Sequence, residues 1–273
     1  MAETATRTAD SEDFPVAPFF LPGKYKQLAL ACYRFARTGD DIADNPKLSV
    51  YDRMRLLDDL ESGLDGEEDA GLAPGLVLHT WLKEHGLEDR WPRAMLGAFR
   101  DDVTRQRFRD YTELRGYYEL SANPAGRFLA DLMGVDPEHY RGTDAVSTGL
   151  GLVTNLRDVK WDLAELDRIY VPLNAMEHFG VAESDLCANA ANAATRKLIA
   201  HHVGRAGKLF DVAEKELNLP GQPMMFRLLV GLASSYGRAL GHKLIERDPL
   251  VEPVGLSKLD RLLCFFRALG FML

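Results

Sequence analysis

The sequence lacks the features that mark several large protein classes. Its three cysteines, Cys32, Cys187 and Cys264, are scattered through 273 residues and form no C-x-x-C pair. An odd count at such spacings excludes a disulfide framework and a cysteine metal site, and points to buried thiols in a reducing, cytoplasmic compartment. Basic residues are not in excess: 33 Lys and Arg against 41 Asp and Glu leave a formal charge of −8. Nucleic acid is therefore excluded as a partner, since it needs a basic patch or stripe. No apolar run is long enough to span a bilayer. The stretch Met1 to Asp13 is polar and acidic with no apolar centre, so it reads as a disordered leader and not as a secretory signal. Alternating strand patterns and Asn-Gly turns are missing. So are the G-x-S-x-G, Walker A and G-x-G-x-x-G motifs.

What is present is helical spacing. Leu28, Cys32, Phe35 and Ala36 mark one face of a helix that Asn45-Pro46 closes, because the residue before a proline is disfavoured in the α region. Further helices are predicted over 50–60, 76–86, 92–106, 112–134, 143–164, 184–217, 222–246 and 257–271, with 61–75 as a loop. Arg168 to Pro172 is the one short extended candidate. No Pro/Gly/Ser-rich linker divides the chain, so residues 14–273 are read as a single all-α domain. The apolar C-terminus, Leu262 to Leu273, has two readings: a final helix packed on the core, or a peripheral contact with a membrane.

Two acidic clusters carry the chemistry: Asp40-Asp41-Ile42-Ala43-Asp44 and Asp158-Val159-Lys160-Trp161-Asp162. Each puts carboxylates four residues apart, on one face of a helix, where like charges repel unless a cation offsets them. Two such pairs facing each other across a bundle would hold Mg2+, and through it a diphosphate. Tyr33, Arg37 and Asp40 recur one turn apart, as do Thr154, Asp158 and Asp162, with Arg157 alongside. Arginine suits phosphate because its planar fork grips two oxygens. Loss of a diphosphate leaves a carbocation, which calls for a dry pocket with aromatic faces. Phe14, Tyr33, Tyr117 and Tyr236 are candidates for that pocket, although each alone reads as core. Asp58-Asp59, Glu67-Glu68 and Asp101-Asp102 read as solvated faces, and His201-His202 as surface or core. Gly126, Gly149 and Gly151 lie in helical stretches, and Ser121 to Gly126 is a run of small residues around Pro124. They read either as close helix packing about a kink or as the wall of an apolar cavity.

The chain resembles the squalene/phytoene synthases. Phe14-Pro15-Val16-Ala17, Leu21-Pro22 and Tyr33 through Asp44 look like the opening of that family, and the Phe-Pro-Val-Ala start resembles its bacterial hydroxysqualene synthase branch, found in hopanoid pathways. Ser121 to Arg127, Asn155-Leu156-Arg157-Asp158-Val159 and Arg168-Ile169-Tyr170-Val171-Pro172 match later landmarks in order, so that the likeness runs from about residue 14 to 262. The resemblance implies an isoprenoid-synthase (class I terpenoid synthase) helical bundle around a central cavity. It implies Mg2+ held by Asp40, Asp44, Asp158 and Asp162, with Arg37 and Arg157 near the diphosphate. Tyr33, Tyr117 and Tyr236 would line the chamber, Ala122 and Gly126 its wall, and Lys258 would approach the diphosphate from the C-terminal side. Where the family carries Gln-x-x-Asn before the second motif, this chain has Gly151 and Thr154. Thr154 keeps the metal-facing place and offers a weaker oxygen. Arg157 stands where the hydroxysqualene branch often has Gln, and one extra residue separates Asp162 from Arg168.

The expected activity is Mg2+-dependent ionisation of a prenyl diphosphate: presqualene diphosphate to hydroxysqualene, or head-to-head condensation of farnesyl diphosphate. Two alternatives stand beside it. A divergent prenyltransferase would use a different acceptor in a pocket enlarged at Gly151, and a non-catalytic relative would serve as an assembly factor. No nicotinamide motif is evident, so no reduction step is expected.

Overall fold

Helical spacing becomes helix almost everywhere in the computed structural model, which describes residues 22–217 and 221–272. Phe14 and the leader lie outside the described residues. In chain order the α-helices are α1 (Gly23–Ala43), α2 (Val50–Asp65), α3 (Ala73–His85), α4 (Arg90–Thr104), α5 (Tyr111–Leu120) and α6 (Ala122–Leu132). They continue with α7 (Tyr140–Leu166), α8 (Leu173–Phe179), α9 (Glu183–Leu186), α10 (Ala193–Leu217), α11 (Met224–Glu246) and α12 (Lys258–Leu269). No strand forms among the described residues.

Apolar stripes decide which helices meet. Leu28, Cys32, Phe35 and Ile42 of α1 are buried against Leu57 and Leu60 of α2, Leu78 of α3 and Leu96 of α4. With α8 set on α10 and α12 on α11, helices α5, α6, α9, α10 and α11 pack around α7, whose 27 residues span about 40 Å. Its buried face, with Val153 and Leu156, shares a core with Tyr118 of α5, Phe210 of α10 and Leu240 of α11. Trp91 and Leu129 pack on both cores and join them.

A short extended crossing sets the site. After α4 the chain runs beside the segment after α7: Arg107 and Ile169 form an isolated parallel bridge, with Ile169 N donating to Gln106 O at 2.9 Å and Leu173 N to Phe108 O at 2.9 Å. The extended reading of 168–172 is thus realised. α7 ends at Leu166 and is capped by Asp167, whose φ of 51° is the one positive φ outside glycine among the described residues.

Several boundaries differ from the sequence expectation. The helix predicted over 112–134 breaks at Ser121, so Pro124 falls in the first turn of α6, where its missing N–H costs no helical bond. α2 runs on to Asp65 because Leu60 and Leu64 are still buried, and Gly66 stops it at φ 88°. The helix predicted from 184 begins at Ala193, where Asn192 Oδ1 accepts from Thr195 N at 2.9 Å. Cys32 and Cys264 are buried as expected, whereas Cys187 is exposed.

Candidate active site

The last two turns of α1 carry the first acidic cluster. Arg37 pairs with Asp40 at 2.9 Å and also with Asp41, so one guanidinium bridges two neighbouring carboxylates. Asp44, at the end of the helix, turns to a different cation: Arg168 Nη1 donates to its Oδ1 at 2.9 Å. On α7, Arg157 grips Asp158 with two bonds, of 2.8 and 2.6 Å. One turn on, Asp162 is buried. Its carboxyl is pushed up to about 8, first by burial and then by the charge of Asp158; Arg168 opposes, and Asp44 and Asp40 of α1 add to the rise. Asp40 is pushed up to about 7 by the protein packed around it and by Asp44, against Arg37. The carboxylates of α1 and α7 therefore share one electrostatic site.

That shared repulsion tests whether these residues fit the expected metal. Hard carboxylate oxygens whose ionisation is held back first by burial and then by one another are donors that a divalent cation stabilises. Among the described residues no three acidic, His or Cys side chains converge on a single point. An ion here would take one or two protein carboxylates and complete its shell with phosphate and water, which is the habit of Mg2+. The donor set fits.

Behind the clusters lies a buried network that the sequence reading did not find. Asp102 of α4 accepts from the Tyr117 hydroxyl at 2.9 Å and from the Tyr170 hydroxyl at 3.3 Å. Arg168 Nη2 donates to the Asp102 carbonyl at 2.7 Å, and its Nη1 donates to the Tyr170 hydroxyl at 3.0 Å. Burial lifts the Asp102 carboxyl to about 7, with Arg168 and the two tyrosine hydroxyls opposing and Asp44 adding. A cavity of about 130 Å3 adjoins it, lined by Asp44, Arg53, Asp102, Gln106, Glu165 and Arg168. The reading of Asp101-Asp102 as one solvated face holds for Asp101, which pairs with Arg105 at 3.3 Å, and is corrected for Asp102. The signal was present: Met95, Ala98, Phe99 and Asp102 share the buried face of α4, so an acid stands at a core position.

The other candidates divide. Tyr33 is half-buried one turn before Arg37. Tyr117 is buried and tied to the clusters through Asp102, and Tyr236 is buried in α11. Thr154 stands one turn before Asp158, half-buried, with its hydroxyl donating to Leu150 O at 2.9 Å. Asn155 Nδ2 donates to the Tyr118 hydroxyl at 3.0 Å. Ala122 is half-buried against the core. A Cβ on Gly126 would lie 2.4 Å from Thr143 Oγ1 and 2.5 Å from Ser147 Oγ, so close packing of α6 on α7 occupies its open side. The space at Gly151 is filled by the Tyr118 ring, 2.6 Å from a Cβ there, and adds no pocket volume, contrary to the expectation for an enlarged acceptor site. Lys258 is exposed at the start of α12 and makes no hydrogen bond or ion pair among the described residues. His202 is buried between the Tyr111 hydroxyl, 2.9 Å from Nε2, and Leu198 O, 3.1 Å from Nδ1, in keeping with the core reading.

Comparison with known proteins gives this geometry its context. The family model described as squalene/phytoene synthase matches residues 7–262. A hydroxysqualene synthase of Rhodopseudomonas palustris is 31% identical over 265 residues, covering 97% of this chain and 90% of that protein. One of Sinorhizobium fredii is 33% identical over 254 residues, covering 92% and 86%. Among solved structures, the squalene synthase HpnC from Alicyclobacillus acidocaldarius superposes with a TM-score of 0.75 at 29% identity, over 88% of this chain and 90% of that one.

Proposed function

The chain belongs to the squalene/phytoene synthase family, and from that premise we propose that it is a Mg2+-dependent enzyme that converts presqualene diphosphate to hydroxysqualene. What supports the reading is that buried Asp162 of α7 lies within the field of Asp44 and Asp40 of α1, while Arg168, just after α7, pairs with Asp44 at 2.9 Å. One or two carboxylates from the set Asp40, Asp44, Asp158 and Asp162 would hold each Mg2+, with phosphate and water completing its shell. When bound, the ion neutralises charge on the departing diphosphate.

The chain's own residues do the rest. Arg37 and Arg157 flank the carboxylates, where guanidinium forks can take phosphate oxygens. The C–O bond to diphosphate breaks and its electron pair leaves with the diphosphate. The carbocation rearranges beside the aromatic faces of Tyr33, Tyr117 and Tyr236. Water then adds, and its proton passes to the released diphosphate or to solvent. No hydride is needed. Head-to-head condensation of two farnesyl diphosphates, which forms the presqualene skeleton, calls for the same ionisation.

The product is a long hydrocarbon alcohol, and α12 offers a route to a lipid surface. Leu259, Leu262, Leu263 and Phe266 are each at least half exposed, at spacings of three and four. Together they present on the order of 400 Å2 of apolar surface, as large as the largest patches of ordinary monomers. Lys258 and Arg267 stand at the two edges of this stripe, and these local cations favour an anionic membrane as the occupant even though the chain as a whole carries −8. No helix among the described residues is long and apolar enough to cross a membrane.

The test is incubation of the purified chain with Mg2+ and presqualene diphosphate, read by mass spectrometry. Hydroxysqualene and one equivalent of diphosphate are expected. A product carrying a foreign acceptor, or no turnover of either presqualene or farnesyl diphosphate, would overturn the reading.

A further inference from the structure

Asp102 belongs to neither acidic cluster, yet four polar contacts converge on it. Tyr117 and Tyr170 donate to its two carboxylate oxygens, Arg168 Nη2 donates to its carbonyl, and Arg168 Nη1 lies 3.7 Å from its Oδ1. The same Nη1 is 2.9 Å from Asp44. One buried guanidinium thus stands between two carboxylates from different helices. Arg168 Nε has no hydrogen-bond partner among the described residues, so the guanidinium's hydrogen bonds run through its Nη1 and Nη2 alone, to Asp44, Asp102 and Tyr170.

We propose that Asp102 is a positioning residue that holds Arg168 and shares its charge, leaving Asp44 free to bind a divalent cation. The inference rests on the reading of Asp44 as a metal ligand. With Asp102 in place, a single positive charge is divided between two negative ones, and Asp44 keeps a net demand for a cation. Without it, Arg168 would be neutralised by Asp44 alone, and an incoming ion would have to displace a buried ion pair, which is costly to break. The two tyrosine hydroxyls complete the device. They fill lone pairs of Asp102 and fix its plane, so that the carboxylate cannot swing toward the metal side itself.

The test is cation binding by the whole chain, with Mn2+ alone standing in for Mg2+ and read from the paramagnetic resonance of the free ion. Asp102→Asn is expected to weaken binding about tenfold, within the range for residues that orient metal ligands. Arg168→Gln is expected to tighten it several-fold, because Asp44 loses its competitor. General damage to the fold would weaken both variants, so opposite signs exclude it; charge sharing further requires that Asp102→Asn change binding little in the Arg168→Gln background, where simple loss of a negative charge would still weaken it. Unshifted affinity in both, or weakening in both, overturns the inference while leaving the metal reading intact. Should Asp102→Asn not fold, Arg168→Gln decides alone: tighter binding supports the inference and equal or weaker binding overturns it. A wild-type chain that takes up no Mn2+ sinks the ligand reading of Asp44, and this inference with it.

Discussion

Arg37 bridges Asp40 and Asp41, and Arg157 grips Asp158 with two bonds, so each guanidinium lies beside a carboxylate with which a phosphate would have to share it. Asp40 and Asp158 each keep 41% of their side-chain surface exposed. Neutralising Asp158 should therefore leave the fold almost untouched, within about 0.5 kcal/mol as for other surface changes, and neutralising Asp40, whose ionised form is disfavoured by its surroundings and by Asp44, should not destabilise it. The effect on chemistry should be large, because an amide cannot stabilise a divalent ion as a carboxylate does. Asp40→Asn and Asp158→Asn are each expected to lower turnover of presqualene diphosphate by about 100-fold or more. Far-UV circular dichroism should be unchanged. A double variant that turns over at the wild-type rate would remove the metal from the reaction. Asp102 shows the complementary case. Its charge was visible in the sequence, but whether it faced water or core depended on which face of α4 met α1 and the 168–170 segment. Pairs of like residues look alike until the partner helix is known.

At the scale of elements, helices with a strong stripe were legible and their ends were not. α1 and α7 follow directly from spacing, and so does the placing of each acidic pair one turn apart on its own helix. The break at Ser121 was hidden because Ser121 to Gly126 are small residues that also fit a continuous kinked helix. α8, seven residues after Pro172, is too short to show a period. Gly126 and Gly151 could be read as packing or as cavity, and only the neighbours decide: Thr143 and Ser147 for one, Tyr118 for the other. The C-terminal segment kept two readings, and α12 packs on the core along one side while leaving apolar side chains exposed along the other. Cys264 and Ala268 are buried on one side, while Leu259, Leu262, Leu263 and Phe266 face outward on the other. The chain is accordingly expected to float with vesicles containing anionic lipid and to stay behind with neutral ones. Leu262→Glu with Phe266→Glu should abolish flotation, and Arg267→Glu should weaken it, while turnover of detergent-dispersed substrate persists. Absence of flotation by the wild-type chain would overturn the lipid assignment. So would self-association lost in the same variants without any vesicle binding.

For the whole molecule, the balance of buried ionisable groups sets how stability responds to acid. Asp102 and Asp162 are lifted in the folded state, to about 7 and about 8, above an ordinary carboxylate at 3.8. The fold therefore binds protons that the unfolded chain does not, and this contribution is full below 3.8 and lost as the pH rises through 7 to 8. His202 acts in the opposite sense. Burial lowers its imidazole to about 4, with the charges of His201 and Arg205 adding and the Leu198 carbonyl opposing. Its Nε2 faces the Tyr111 hydroxyl as an acceptor, which a proton there would end. Above 6.5 the ring is neutral in both states and contributes nothing to the slope. As the pH falls from 6.5 toward 4, only the unfolded chain takes up the proton, and stability drops by about 3 kcal/mol in total. The two trends overlap, so the raw stability of the wild type will not separate them. The difference between wild type and His202→Gln will, because the carboxylates are common to both. Urea unfolding of each at steps between pH 7 and 4 should show the wild-type advantage shrinking steadily below 6.5. A difference that stays constant across this range would mean that the folded chain accepts a proton on His202 without penalty, and that the ring is not sealed between α5 and α10 as the packing of Tyr111 and Leu198 requires.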